Sequence, residues 1–143
     1  MRKIYLIRKN VAQDRISHLI DYINRHKNGI YKVVYYDETT SETTGLPTLK
    51  SLMEQCKVSI LFVGTDPSSS KFLDEEIQLV HRLGLKRSVF TLDKDLYHPG
   101  SIKGIPKAWR NHCNRILSPT ISNVIREIHG GWEGVVRYYV FTF

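Results

Sequence analysis

Val58-Ser59-Ile60-Leu61-Phe62-Val63 is an almost unbroken apolar run rich in β-branched and aromatic residues, and its reading decides the fold. A strand that is apolar on both faces belongs inside a parallel sheet covered by helices on either side. A loop of small and hydroxyl residues, Gly64 to Ser70, follows it, and the pattern then predicts a helix from about Lys71 to Leu83, ended by Gly84. Ahead of it, Leu49, Leu52, Met53 and Cys56 form the stripe of another helix, with Pro47 suited to its first turn.

The same alternation runs outward in both directions. Lys3 to Ile7 reads as a first strand, and Ala12 to His26 carries Ile16, Leu19, Ile20 and Ile23 at amphipathic spacing. Asn28-Gly29 stops that helix, Tyr31 to Tyr36 reads as a second strand, and Asp37 to Gly45 is a polar loop. Downstream come a fourth strand, Ser88 to Leu92, a long connection from Asp93 to Pro106, a short helix over Lys107 to His112 and a fifth strand, Arg115 to Leu117. Ser118 suits an N-cap with Pro119 after it; the stripe Ile121, Val124, Ile125 and Ile128 follows, closed by Gly130-Gly131. Repeated strand–helix units imply right-handed crossovers and a small doubly wound α/β fold with five parallel strands over residues 1–130. Residues 131–143 form a C-terminal extension, in which Val135 to Phe143 reads as an extra edge strand open to pairing with another chain.

A chain of 143 residues makes one domain, and 41% apolar with 24% charged residues describes a soluble globular protein. Cys56 and Cys113 are too few for a disulfide framework, so reduced thiols and a cytoplasmic setting are expected. The opening residues place only four apolar side chains between basic pairs, which argues against a signal peptide, and no stretch is apolar enough for a membrane span. The net charge of +7 favours an anionic partner, such as a phosphate-bearing small molecule. Its basic residues are scattered, which argues against nucleic acid. The six histidines show no H-x-H or H-x-x-x-H spacing, so no metal is expected. Neither a P-loop nor a G-x-G-x-x-G fingerprint occurs. A receiver domain would need acidic residues where Arg8-Lys9 and Gly64 stand.

In such sheets ligands bind beyond the carboxyl ends of the strands, which directs attention to the loops Arg8 to Gln13, Asp37 to Gly45 and Gly64 to Ser70. The helix after the central strand holds an anomaly. Phe72, Leu79, Val80 and Leu83 share a stripe while Asp74, Gln78, His81 and Arg82 face solvent, yet Glu76 falls inside the apolar stripe. A carboxylate there is costly unless something polar meets it. It is either a helix-edge group that reaches water or an arginine, or a group aimed into the cleft to hold a ligand.

The stretch from Lys57 to Ile77 resembles the central segment of TIR domains, most of all the bacterial TIR-like branch of Thoeris antiphage defence. That pattern is an apolar strand, a short loop, then Ser-x-aromatic-x-x-x-Glu-Ile, matched here by Ser70, Phe72, Glu76 and Ile77. Pro99 and Ile105-Pro106 sit where such proteins have a proline-containing loop, and the order of elements agrees from about Lys3 to His129. The chain departs from the family in its first strand, Tyr5-Leu6-Ile7-Arg8 in place of a Phe-Ile-Ser-Tyr-like run, and in having Phe72-Leu73 where the motif usually carries Trp.

The resemblance implies a flavodoxin-like TIR fold and cleavage of NAD+, as a glycohydrolase or ADP-ribosyl cyclase in defence or signalling. NAD+ would be substrate, with no cofactor. Glu76 would be the catalytic carboxylate, and Ser68, Ser69 and Ser70 would supply donors near the ribose. Phe72 would wall the pocket, or serve as a core aromatic. Arg8 and Lys9 would meet the diphosphate, or stand as solvated surface charges. The resemblance further implies a homo-oligomer or a partner protein. Two rival readings remain: a non-enzymatic TIR-type interaction module, and an enzyme like a nucleoside deoxyribosyltransferase, which also sets a Glu against a glycosidic bond.

Overall fold

The structure is a computed structural model that describes residues 1–36, 46–92, 109, 116–117 and 121–133. Its elements are β1 (Arg2–Lys9), α1 (Ser17–Arg25), β2 (Tyr31–Val34), α2 (Leu46–Glu54), β3 (Cys56–Val63), α3 (Leu73–Leu83), β4 (Lys86–Thr91), β5 (Ile116–Leu117) and α4 (Ile121–Glu133). All pairings are parallel, in the order β2-β1-β3-β4-β5. Four strands thus make the body of the sheet, and the two-residue β5 extends it at one edge. The fold is α/β, consistent with double winding.

Strand periodicity sorts the core into two layers. Ile4, Leu6, Ile60, Phe62 and Phe90 pack against Ile16, Ile20 and Ile23 of α1 and its preceding 3-10 turn, and against Val124 and Ile128 of α4. On the opposite face Tyr5, Ile7, Leu61, Val63 and Val89 meet Leu49 and Met53 of α2 and Ile77 and Val80 of α3. The run from Val58 to Val63 is buried throughout, as its continuous apolar reading requires. The helix that follows β1 covers one face, and the helix that follows β3 covers the other. The order of strands reverses between β1 and β3, the kind of position at which open α/β sheets bind ligands.

Two sequence expectations are corrected. Cys56, placed on the stripe of α2, is instead the first residue of β3, and its thiol reaches back to the Leu52 carbonyl at 3.6 Å. The helix stripe broke off two residues earlier than the pattern suggested, because the backbone turned extended to join Lys3 of β1. The pair Gly130-Gly131, read as a terminator, lies inside α4, which continues to Glu133. The boundary at residue 130 therefore falls within a helix. A Cβ at residue 131 would stand 2.7 Å from Val58 Cγ2, so this glycine marks a close approach of α4 to β3. Gly29 and Gly84, by contrast, are left-handed helix caps at φ 81° and 68°. The expected edge strand Val135 to Phe143, the loop Asp37 to Gly45, the connection from Asp93 with its prolines, Cys113 and the Ser118-Pro119 cap lie outside the described residues. So does the helix expected over Lys107 to His112, apart from the buried Trp109. Among the described residues no helix is long and apolar enough to cross a membrane.

Candidate functional site

Beyond Lys9 and Val63 the β1–β3 ladder ends, but the two chains stay fastened. Backbone amides of Gly64, Asp66 and Ser70 donate to the carbonyls of Lys9, Asn10 and Arg8 at 3.0, 2.8 and 3.0 Å. Side chains answer in the other direction. The amides of Arg8, Asn10 and Ala12 donate to Ser70 Oγ, Ser69 Oγ and Asp66 Oδ2 at 3.0, 2.8 and 3.1 Å. Asn10 turns the β1 tail by adopting φ 56°, a conformation that Asn tolerates better than most residues. Arg15 pairs with Asp66 at 3.2 Å and reaches the Leu92 carbonyl, tying in the end of β4. Hydroxyl-rich sequence is what this seam needs, because short oxygen acceptors satisfy amides that no neighbouring strand can reach.

Glu76 stands in the first turn of α3, 1% exposed, with Oε1 wholly buried and outside any ordinary hydrogen bond. Burial pushes its carboxyl up to about 7; Tyr5, Arg8 and Ser70 draw it down, and Glu75 adds to the rise. Ser70 Oγ already accepts from the Arg8 amide, so its own proton is left to face the Glu76 carboxyl. Tyr5, 0% exposed on β1, brings its hydroxyl to the same carboxyl without closing a bond of ordinary length. Burial, then the Glu76 charge, hold the Tyr5 phenol far above its ordinary range. Next to it burial pushes the Cys56 thiol up to about 11, with Lys3 acting the other way.

Each residue singled out from sequence can now be placed. Ser70 accepts from the Arg8 amide and draws the Glu76 carboxyl down, whereas Ser69 serves the seam, accepting from the Asn10 amide and donating to Asn10 Oδ1 at 3.3 Å. Ser68 accepts from Arg8 Nη1 at 3.3 Å, and the same guanidinium donates to the Val11 carbonyl at 2.6 Å. Arg8 thus folds back onto its own loop while its charge still reaches Glu76. Lys9 is half-buried and anchors the seam through its carbonyl. Phe72 is half-buried just before α3, packed on the α2/α3 core, with its ring edge-on to Tyr36 at 5.4 Å. Lys71 lies over its other side at 5.5 Å. Burial excludes a Glu76 that reaches water, while the Arg8 charge acts on its carboxyl, so the arginine-met and the ligand-holding readings both stand.

Tyr5 is the residue that sequence reading missed. In the strand run Ile4 to Ile7 it counts as one more β-former, and the available signal was that a tyrosine on an inward-facing position must bring its hydroxyl to some polar partner. Two surface hollows lie elsewhere: one of about 420 Å³ along α1 at His18, Tyr22 and His26, and one of about 310 Å³ at the α3–β4 turn beside His81 and Lys86. Among the described residues no cluster of His, Cys, Asp and Glu could hold a metal ion. No protein-family model matches the chain, and no curated protein matches it significantly.

Proposed function

We propose that the chain is a TIR-like enzyme that breaks the nicotinamide–ribose bond of NAD+, acting as a glycohydrolase or an ADP-ribosyl cyclase, with Glu76 as its catalytic carboxylate. The observation that carries this reading is the wholly buried carboxyl in the first turn of α3, the helix that follows the carboxyl end of β3. Proteins do not bury an acid in an apolar stripe without a polar purpose, and perturbed carboxyls cluster at functional sites.

The chemistry suits the group. Nicotinamide departs as a neutral molecule with the electron pair of its glycosidic bond, leaving an oxocarbenium-like charge on the ribose. An ionised Glu76 meets that charge and accepts hydrogen bonds from the ribose hydroxyls, with no proton transfer needed in the step. Water, or a nucleophile within the same nucleotide, then takes the freed carbon. Ser70 orients the carboxylate, Phe72 closes the wall beside it, and Arg8 and Lys9 stand at the β1 end for the diphosphate. A cytoplasmic enzyme that assembles with copies of itself, within a defence or signalling system, agrees with this reading.

The test is incubation of purified protein with NAD+, comparing Glu76→Gln with the parent and identifying products by mass. The parent is expected to consume NAD+ and the variant to lose at least about 100-fold in turnover, the scale on which removal of a charge-stabilising group acts. Equal turnover would remove Glu76 from the chemistry. Absence of turnover in both, in concentrated protein, would favour the interaction module. Covalent capture of a deoxyribosyl group on Glu76 would favour the transferase.

A further inference from the structure

The basic residues are scattered along the sequence, but the fold gathers them. Parallel strands joined by helices bring the first residues of the strands, the last residues of the helices and the turns between them to one end of the sheet, away from Glu76. Each of the four long strands begins there on basic residues: Arg2-Lys3, Lys32, Lys57 and Lys86-Arg87. Arg25 and Arg82 in the last turns of α1 and α3, with Lys27 in the turn after α1, join them. Among the described residues the acidic ones placed at that end are Glu54 and Glu133, which close α2 and α4. Nine basic residues against two acidic ones leave an excess of seven, equal to the net charge of +7 that the whole chain carries. Cations in the last turn of a helix answer its dipole, which accounts for Arg25 and Arg82 but not for the strand starts. Gathering like charge opposes the compact state, and Lys3 and Lys32 are register partners, so folding alone does not account for the cluster.

We infer that this end of the sheet is a docking surface for the phosphate backbone of a nucleic-acid duplex, bound without regard to sequence. It stands apart from the reading of Glu76, which concerns the opposite end. Adjacent strands lie about 4.8 Å apart, so Lys32, Arg2, Lys57 and Lys86 form a row about 14 Å long across β2, β1, β3 and β4. One strand of a duplex carries a phosphate about every 3.4 Å of axis, so the row faces about four of them. Lys32, Lys57 and Lys86 are exposed, and Arg2 is half-buried. Two members of the row are held in place. Trp132 lies between Arg2 and Lys57, 5.8 and 5.5 Å from its ring, and Lys57 Nζ donates to the Trp132 carbonyl at 3.0 Å. Long side chains ordered beforehand lose less freedom on meeting a rigid array of charges. The rings of Tyr31 and Trp132 at that end are buried and half-buried, so neither is offered to unpaired bases, which favours a duplex over a single strand. A face that seats on a membrane buries apolar area as well as charge, and here the exposed large apolar side chains are only Met1 and Ile30 among the described residues.

The experiment titrates the full chain into fluorescein-labelled DNA duplexes of about 20 base pairs and follows their anisotropy, at about 50 and about 200 mM salt. Two duplexes of unrelated sequence are compared and are expected to bind within about twofold of each other. With about four phosphates neutralised, affinity is expected to fall about 100-fold between the two salt concentrations. Lys32→Gln/Lys86→Gln removes two exposed members of the row and is expected to weaken binding at least about tenfold at the lower salt, with the salt slope reduced by about two. Lys9→Gln/Lys71→Gln removes the same charge at the other end and is expected to change binding by less than about threefold, because salt screens charges that far from the row. Absence of duplex binding at the lower salt, or equal losses in the two double variants, would overturn the assignment. Tighter binding to a single strand of the same length, to phosphatidylserine vesicles or to poly-glutamate would overturn it as well.

Discussion

At the scale of single residues, the role proposed for Glu76 is set against stability. Its folded-state pKa of about 7 stands above its ordinary value of 4.5, so between those values the folded chain holds a proton that the unfolded chain has released. Stability contributed by that proton is full below about pH 4.5, falls as pH rises toward 7 and is gone above it. Glu76→Gln removes the titrating group and keeps the shape. It is expected to melt higher than the parent above pH 7, by up to about 3 kcal/mol, and to lose the decline between pH 4.5 and 7. Denaturant unfolding at pH 5 and pH 8 checks this; equal differences at both values would mean that the carboxyl titrates normally. A variant that is more stable and less active is what a buried catalytic acid predicts.

The glutamate could be singled out in the sequence because it breaks a period; Tyr5 could not, because tyrosine obeys the strand pattern that surrounds it. What distinguishes it is the burial of its hydroxyl in a layer that α2 and α3, far away in the chain, close over it. The serine run shows the complementary case. Hydroxyl residues after a central strand suggested ligand donors, yet Ser68 and Ser70 hold Arg8, and Ser69 holds Asn10.

Among the elements, α4 carries the clearest lesson. Its amphipathic stripe was plain, but two consecutive glycines read locally as a stop. The helix runs through them because Gly131 lets its backbone approach Val58, and Trp132 then lies between Arg2 and Lys57, whose charges stand 5.8 and 5.5 Å from the ring. Gly131→Ala gains helix propensity of at most about 1 kcal/mol, and less in a last turn. Against that stands overpacking of about 1–3 kcal/mol, since Val58 is β-branched, 1% exposed and cannot turn aside cheaply. A net loss of about 1–2 kcal/mol by thermal or denaturant unfolding is expected; a gain would show that α4 shifts freely on the sheet.

Across the whole molecule, the order β2-β1-β3-β4-β5 sends the helices after β1 and β3 to opposite faces, while the loops that lead into them are stitched together at the candidate site. The seam of serines, Asp66 and Arg15 gives that crest a rigid floor. The TIR-like reading adds an expectation on assembly: specific NAD+ turnover should rise with protein concentration, because such sites are completed by neighbouring subunits. Constant specific activity on dilution, measured beside the sedimentation of the same samples, would show a site complete in one chain.

Period and composition by themselves determined the alternation of strands and helices, the doubly covered central strand and the exceptional position of Glu76, because these depend on local chemistry read along the chain. Only the tertiary structure decided that Glu76 is buried beside Tyr5, that the serines clasp the β1 tail, that Cys56 opens a strand and that Gly131 is a contact. Each of those facts joins residues tens of positions apart, and no local pattern encodes which partner a side chain meets once the sheet has formed.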